Sequence, residues 1–160
     1  MNLQQGNIWD VYEDTDALVI TTNAIVYRNG LVMGAGAALQ AKERFPFLPR
    51  VLGKMITEPQ VIRVDGLPKY GFVFDQKSKI GALQTKYHYY NLSPLALVKY
   101  SLDIFSEWLK VMKPKRVDMV FPAIGLGGQS RKNMMPLLEG LQENVYIWTL
   151  DHFTGIDKIV

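Results

Sequence analysis

Two segments of the chain repeat one order of parts: a short apolar run, a glycine-rich stretch and a helix-forming run. In the first, Ala17–Thr22 (ALVITT) leads through residues 34–36 (GAG) into residues 37–45. In the second, residues 117–122 lead into residues 125–128 (GLGG) and then into a further helix-forming run. Short apolar, β-branched runs of this kind are typical of buried parallel strands. Because strands alternate with helices along the chain, the pattern predicts an α/β sandwich with a largely parallel sheet.

The rest of the chain supplies further elements of both kinds. Pro46 and Pro49 are expected to end the first helix. Ser93-Pro94 is typical of a helix start with Ser93 as the N-cap, and that helix is predicted to end near Lys113. Residues 60–64 and 70–76 are predicted to form a hairpin or two adjacent strands. A loop is predicted at residues 77–83, a helix at 134–141 and a last strand at 145–150. At 160 residues the chain has the usual size of one domain, so we expect a single domain over residues 1–160.

The composition narrows the chemistry. There is no cysteine, which excludes disulfides, thiolate catalysis and most structural zinc sites. With His88 and His152 as the two histidines, we expect neither a bound metal nor a cofactor. No apolar run approaches the roughly 18 to 20 residues that span a bilayer, and residues 1–10 resemble no signal peptide, so we expect a cytoplasmic protein without a membrane segment. The net charge of +3 favours an anionic partner but is also an ordinary setting for solubility.

Each glycine-rich stretch is a candidate phosphate cradle. Glycines let backbone N–H groups approach a ligand without a Cβ in the way, and the N-terminus of the following helix adds partial positive charge. Two cradles suit a diphosphate, although glycine turns that only reverse the chain give the same pattern. Residues 34–36 lack the third glycine and the acidic partner of a dinucleotide-binding fingerprint, and residues 125–130 lack the Lys-Ser/Thr of a P-loop. These absences count against a Rossmann-like oxidoreductase and a nucleoside triphosphatase.

The order of four segments is more specific than either loop. They are Gly6-Asn7-Ile8, residues 16–23 (DALVITTN), residues 33–40 (MGAGAALQ) and residues 121–128 (FPAIGLGG). With these segments the chain resembles the macro domain family over nearly its whole length. Residues 81–93 (GALQTKYHYYNLS) are most similar to the branch of DNA ADP-ribosyl glycohydrolase antitoxins and the related glutamate-linked ADP-ribose glycohydrolases, which carry Thr-Lys before a helix. The resemblance implies a three-layer α/β/α sandwich with a mixed, mostly parallel central sheet, which binds ADP-ribose and hydrolyses its linkage to a nucleobase or an amino-acid side chain.

The resemblance also implies roles for individual residues. Lys86 and Asn23 are the implied catalytic residues at the terminal ribose, and a lysine attacks the anomeric carbon only as an uncharged amine. Asn7 stands where many macro domains have an aspartate that accepts a hydrogen bond from adenine, and an amide oxygen can accept it too. Phe153 is implied to stack on adenine, or it is a core residue at a strand end. The implied ligand-binding residues are Asn7, Ile8, Gly34, Ala35, Gly36, Ala37, Thr85, Pro122, Gly125, Leu126, Gly127, Gly128, Gln129 and Phe153.

One position departs from the members that use the lysine as a nucleophile. Those members have an acidic residue in the second glycine-rich loop, where this chain has Gln129, and an amide cannot act as a base. The DNA-directed branch tends to lack the acid, so the chain matches that branch better. His88 lies two residues after Lys86, and on an extended segment both side chains share a face. His88 is therefore a candidate acid or base, unless it faces solvent.

Other activities stay open at this point. The same residues fit a reader that binds ADP-ribose without cleaving it, and an ADP-ribose 1″-phosphate phosphatase or O-acetyl-ADP-ribose deacetylase. A DNA-linked substrate needs a rim of aromatic and basic residues for single-stranded DNA, for which Tyr87, Tyr89, Tyr90 and Lys79 are candidates. The tyrosines can equally pack against the following helix. We expect a monomer, because no long apolar stripe is left over once each element has a buried face.

Overall fold

The computed structural model describes residues 1–150, which contain ten strands and four helices. The strands are β1 (Asn2–Gln5), β2 (Ala17–Thr22), β3 (Val26–Tyr27), β4 (Gly30–Leu31), β5 (Ile62–Val64), β6 (Leu67–Lys69), β7 (Phe72–Asp75), β8 (Ile80–Gln84), β9 (Val117–Val120) and β10 (Val145–Thr149). The helices are α1 (Gly36–Arg44), α2 (Leu48–Ile56), α3 (Leu95–Met112) and α4 (Arg131–Leu138). No helix in this part of the chain is long and apolar enough to cross a membrane.

Six strands form the central sheet, in the order β1-β10-β9-β2-β8-β7. Neighbouring strands are parallel except for β7, which runs antiparallel to β8. The predicted mixed, mostly parallel sheet is therefore confirmed. The carboxyl ends of the five parallel strands meet at one edge, where an open α/β sheet usually binds its ligand. The segments that follow these strands are brought together at that edge.

Helices cover both faces of the sheet. On one face, α3 and α4 pack over a core that includes Val19, Phe105 and Met119. On the other face, α1, α2 and a short 3-10 turn at Ile8–Val11 pack over a core that includes Leu18. Leu18 and Val19 point to opposite faces because side chains alternate along a strand. The three layers are those of the α/β/α sandwich that the family resemblance implies.

The prediction of a loop at residues 77–83 is wrong over its second half. Residues Ile80–Gln84 form β8, which lies between β2 and β7 and is buried along its whole length. Gly81 lies against the ring of Phe72, whose Cε1 would be 2.7 Å from a Cβ added at this glycine. A strand buried on both faces shows no alternation of polar and apolar residues, and the close contact here excludes a larger side chain. The strand therefore carries a sequence that resembles a loop.

Two further local predictions differ from the structure. Residues 60–64 do not pair with 70–76, because β5 pairs with β6 through a turn at Asp65 and Gly66, which both have positive φ. β7 pairs with β8 instead. Pro49 does not end the helical region, since it lies in the first turn of α2, where the missing N–H has no helical acceptor in any case.

Candidate functional site

A cleft opens at the edge where the five parallel strands end, and it consists of two adjoining cavities. Cavity A has a volume of about 480 Å³, and its lining includes Asn23, Thr85 and Lys86. Cavity B has a volume of about 660 Å³, and its lining includes Asn7 and Trp148. Both volumes are typical of small-molecule sites. The cavities form one cleft, because they share the lining residues Thr21, Gly36, Ala37, Phe121 and Ile124.

The N-terminus of α1 opens at the junction of the two cavities. No side chain caps it, because the N-cap residue is Ala35, so the first N–H groups of the helix are left for another acceptor. A Cβ added at Gly34 or Gly36 would meet no atom within 4 Å, so both glycines border open space. Gly36 also has a φ of +55°, which favours glycine. Uncapped N–H groups and a partial positive charge make this helix end a suitable site for an anion such as a diphosphate.

The second glycine-rich loop is held in shape by its own main chain. Residues Gly125–Gly127 form a 3-10 turn, and Gly128 follows with a φ of +75°. The N–H of Gly128 donates to the carbonyl of Gly125 at 3.0 Å, and the N–H of Gln129 donates to the carbonyl of Ala123 at 2.9 Å. These bonds fix the shape of the loop, which forms one wall of the cleft.

Ser93 joins this loop to the start of α3. Its N–H donates to the carbonyl of Gly127 at 2.8 Å, and its carbonyl accepts from Gln129 Nε2 at 2.8 Å. The predicted N-cap role of Ser93 is wrong, because Pro94 is the cap residue and no side chain caps this helix. The amide of Gln129 therefore positions the loop.

Gln84 fixes the segment that leads to Lys86. Its Oε1 accepts from the N–H groups of Tyr70 and Gly71 at 2.9 and 3.1 Å. Its Nε2 donates to the carbonyls of Pro68 and Lys86 at 2.9 and 3.3 Å. The side chain is completely buried, and these four bonds use its full hydrogen-bonding capacity.

Lys86 lies at the carboxyl end of β8 and lines cavity A. Its Nζ donates to the carbonyl of Leu126 at 3.2 Å and to that of Tyr89 at 3.3 Å. Among residues 1–150, no Asp or Glu lines either cavity. Lys86 in cavity A and Arg131 in cavity B therefore give the cleft a cationic lining, which suits an anionic ligand. The described residues also contain no cluster of three or more His, Asp or Glu side chains that could hold a metal ion.

Asn23 follows β2 and lines cavity A. Its Nδ2 donates to the carbonyl of Val32, and its Oδ1 accepts from the N–H of Ile25, both at 2.9 Å. One N–H and one oxygen lone pair of the amide are left for a ligand. The hydroxyl of Tyr70 donates to the carbonyl of Asn23 at 2.5 Å, and burial raises the pKa of this phenol, which keeps it protonated. The surroundings thus hold Asn23 in one orientation.

Cavity B combines an amide and an indole ring. The Oδ1 of Asn7 accepts from the N–H of Trp9 at 3.0 Å, which caps the 3-10 turn. Trp148 Nε1 donates to Asp118 Oδ1 at 2.8 Å, which fixes the orientation of the indole. Asp118 is completely buried and also accepts two bonds from Arg116, at 2.9 and 3.0 Å, and this hydrogen bonding raises the pKa of the guanidinium. A fixed aromatic surface of this kind suits a planar base.

Most of the residues implied by the sequence line this cleft. Those in cavity A are Asn23, Gly34, Ala35, Gly36, Ala37, Thr85, Lys86, Leu126 and Gly127. Those in cavity B are Asn7, Ile8, Gly36, Ala37, Gly125 and Gln129. Pro122 and Gly128 line neither cavity: Pro122 is buried, and Gly128 packs against Leu92, whose Cδ2 would be 2.7 Å from an added Cβ. Phe153 lies outside the described residues.

Two other candidates do not line the cleft. The ring of His88 packs on Tyr89 and Tyr90, with centroids 4.4 and 3.6 Å apart, and His88 lines neither cavity. Lys79 Nζ donates to the carbonyls of Tyr12 and Thr15. Lys79 precedes β8, whereas the cleft lies beyond its carboxyl end, and a strand of this length spans roughly 17 Å. Lys79 therefore does not belong to the rim of the cleft.

Sequence reasoning misses several lining residues. Trp148 and Arg131 belong to no motif that the sequence offers. In the structure Trp148 is partly buried near the end of β10. Arg131 is the first residue of α4 and directly follows the second glycine-rich loop. This position in the sequence is the one feature that could have indicated a place in the site. Other lining residues that the sequence did not single out as ligand contacts include Met33, Tyr89, Ser93, Phe121, Ser130 and Thr149.

No protein-family model and no curated protein match the sequence, but solved structures do. The macrodomain of Thermus aquaticus DarG is 22% identical with a TM-score of 0.68, over 94% of this chain and 97% of that chain. The macrodomain of Mycobacterium tuberculosis DarG is 22% identical with a TM-score of 0.67, over 92% and 95%. Thermosipho africanus DarTG, solved in complex with ADP-ribose, is 19% identical with a TM-score of 0.67, over 99% of this chain and 44% of that chain. The chain therefore has the macrodomain fold, which is the fold that the resemblance seen in the sequence implies.

Proposed function

We propose that the chain binds ADP-ribose in the cleft formed by cavities A and B. The observation that carries this proposal is the N-terminus of α1, which has no side-chain cap and opens beside Gly34 and Gly36 at the junction of the cavities. A diphosphate bound there would direct one end of the ligand into each cavity, and ADP-ribose has a nucleoside at one end and a sugar at the other. The similarity to DarTG in complex with ADP-ribose supports the same ligand.

The two cavities differ in a way that orients this ligand. In cavity B, Trp148 and Ile8 offer an apolar surface to adenine, and Asn7 adds an amide. In cavity A, Asn23 and Lys86 offer polar groups to the hydroxyls of the terminal ribose. The adenosine therefore belongs in cavity B and the terminal ribose in cavity A.

We further propose that the chain hydrolyses the bond between the terminal ribose and its substrate. The bond at C1″ breaks, water supplies a hydroxyl to C1″, and the remaining proton of the water goes to the leaving group. Among the described residues that line cavity A, Lys86 is the cationic one, so it is the group best placed to take part. As an ammonium it would stabilise negative charge on the leaving group. As a free amine it would attack C1″ and displace the leaving group, which takes the proton that the amine loses, and water would then displace the amine from C1″. Lys86→Arg separates the two roles, because arginine stays charged and is not a nucleophile.

The rim of cavity A supports an ADP-ribosylated base in single-stranded DNA as the substrate. Tyr89 and Tyr90 follow Lys86 and are exposed, Tyr90 to 72%. Leu126 lines the same cavity and is 75% exposed, and Leu92, which packs against Gly128 of the same loop, is 70% exposed. Exposed aromatic rings stack on unpaired bases of any sequence. In this proposal the rim holds the bases next to the modified one.

The test measures ADP-ribose released from two substrates, ADP-ribosylated single-stranded DNA and glutamate-ADP-ribosylated protein. We expect release from the DNA, and we expect Lys86→Ala to abolish it. Lys99→Ala is the matched control, since Lys99 is an exposed lysine on α3 that pairs with Asp103. Release from the protein alone would contradict the proposed substrate, and release from neither would contradict the proposed hydrolase.

A reader that binds ADP-ribose without cleaving it is the second candidate. Within residues 1–150 the cleft has no lining carboxylate to act as a base, and Lys86 Nζ already donates to two carbonyls. A reader would bind ADP-ribose in a calorimetric titration and release nothing from either substrate. This combination of results distinguishes it from the hydrolase.

A further inference from the structure

The hydroxyl of Ser93 is buried without a hydrogen-bond partner. Ser93 is 1% exposed, and its Oγ makes no hydrogen bond within residues 1–150. The same residue lines cavity A. A buried hydroxyl normally has a partner, because losing its bonds to water costs free energy that nothing else repays. An orphan hydroxyl beside a cavity therefore indicates that the partner is a ligand.

The second glycine-rich loop bonds to the main chain of Ser93 and leaves its hydroxyl without a partner. The N–H and the carbonyl of Ser93 both bond to the second glycine-rich loop, at Gly127 and Gln129. Both bonds are made by main-chain atoms of Ser93, and the side-chain hydroxyl takes no part in them. A Cβ at Gly127 would lie 2.8 Å from Ser93 Oγ, so a larger residue there would press on the hydroxyl. Glycine at 127 therefore leaves the space beside Ser93 Oγ free of a side chain.

We propose that Ser93 Oγ binds a hydroxyl group of the terminal ribose of ADP-ribose, an inference that rests on the proposed function. A serine hydroxyl both donates and accepts, which matches the hydroxyls of a sugar. Asn23 and Lys86 line the same cavity, where the ligand orientation argued above puts this ribose. Ser93 is then a residue that distinguishes ADP-ribose from ADP, which lacks the terminal ribose.

The test compares Ser93→Ala with the wild-type chain by calorimetric titration with ADP-ribose and with ADP, and by urea unfolding. Loss of one hydrogen bond to the sugar is expected to lower the affinity for ADP-ribose about tenfold, which corresponds to about 1.4 kcal/mol, and to leave the affinity for ADP unchanged. The urea midpoint is expected to stay the same or rise, because the variant removes a polar group that has no partner in the free protein. A purely structural serine would show the opposite pattern, a lower midpoint and an equal effect on both ligands.

Ser101→Ala is the matched control. Ser101 is also completely buried, and its Oγ also lacks a partner, but it lies in α3 and lines neither cavity. We expect it to leave both affinities unchanged. Ser93→Cys provides a second variant of similar size, and its weak S–H donor is expected to restore little of the lost affinity.

The failure of this inference differs from the failure of the proposed function. If the wild-type chain binds ADP-ribose and Ser93→Ala binds it equally well, the role of Ser93 is refuted and the binding function stands. An equal loss for ADP-ribose and ADP refutes the assignment to the terminal ribose. If the wild-type chain does not bind ADP-ribose, the proposed function fails and this inference fails with it.

Discussion

Replacing Gln84 with methionine is expected to destabilise the protein strongly without creating a cavity. Methionine has nearly the volume of glutamine, so the packing around the buried side chain is kept. The hydrogen bonds are lost, and the N–H groups of Tyr70 and Gly71 and the carbonyl of Pro68 remain without their partner. Each buried group left in this way costs about 1–3 kcal/mol, so the three together cost roughly 3–9 kcal/mol. The fourth partner, the carbonyl of Lys86, is partly exposed and adds little.

Urea unfolding measures this cost. With a dependence on urea of about 2 kcal/mol per molar, which is ordinary for a small domain, the midpoint of Gln84→Met is expected about 1.5–4.5 M below that of the wild-type chain. Gln76→Met is the control, because Gln76 is exposed in the turn between β7 and β8 and its replacement is expected to change stability by no more than about 0.5 kcal/mol. A midpoint for Gln84→Met within 0.5 M of that control, on the order of 1 kcal/mol by the same conversion, would refute the reasoning.

Three further results are expected. Gly34→Ala should unfold at the same urea concentration as the wild-type chain but bind ADP-ribose at least about tenfold more weakly in calorimetry, because the added Cβ enters open space of cavity A. Burial raises the pKa of Tyr70 above its unfolded value, so the unfolded chain releases this proton first and stability falls as the pH rises above about 10, by up to about 1.4 kcal/mol per pH unit. Urea unfolding between pH 9 and 11 should show that Tyr70→Phe lacks this contribution. Binding of ADP-ribose should change the tryptophan fluorescence of the wild-type chain, because Trp148 lines cavity B. The change should be lost in Trp148→Phe and kept in Trp108→Phe, because Trp108 packs in the core between the sheet and α3.

The sequence predicts those parts of the fold whose signals are local. β2 and β9 follow from apolar runs, and α1 follows from a helix-forming run after glycines. β8 is missed because it contains Gly81, which is typical of a loop. The ring of Phe72 leaves no room for a side chain at this position, and that contact exists only in the folded chain. α2 is missed because a proline is compatible with the first turn of a helix but not with its interior. The sequence around Pro49 does not show which of these positions it occupies, and in the structure it lies in the first turn of α2.

The site divides in the same way. Asn23 follows the predicted strand β2, so its place at the carboxyl edge of the sheet could be predicted. Lys86 reaches the same edge through β8, which the sequence did not predict, so only its motif singled it out. The role of Trp148 depends on Asp118, which is 30 residues away and becomes its neighbour only because β10 lies beside β9. The orphan hydroxyl of Ser93 depends on burial, which no local pattern reports.

A crystal structure of the chain with ADP-ribose tests the central claim most directly. The account predicts one ligand across both cavities, with the adenine against Trp148, the diphosphate at the N-terminus of α1 beside Gly36, and the terminal ribose between Asn23 and Ser93. A ligand bound in the reverse direction, or one bound outside the cleft, would contradict it.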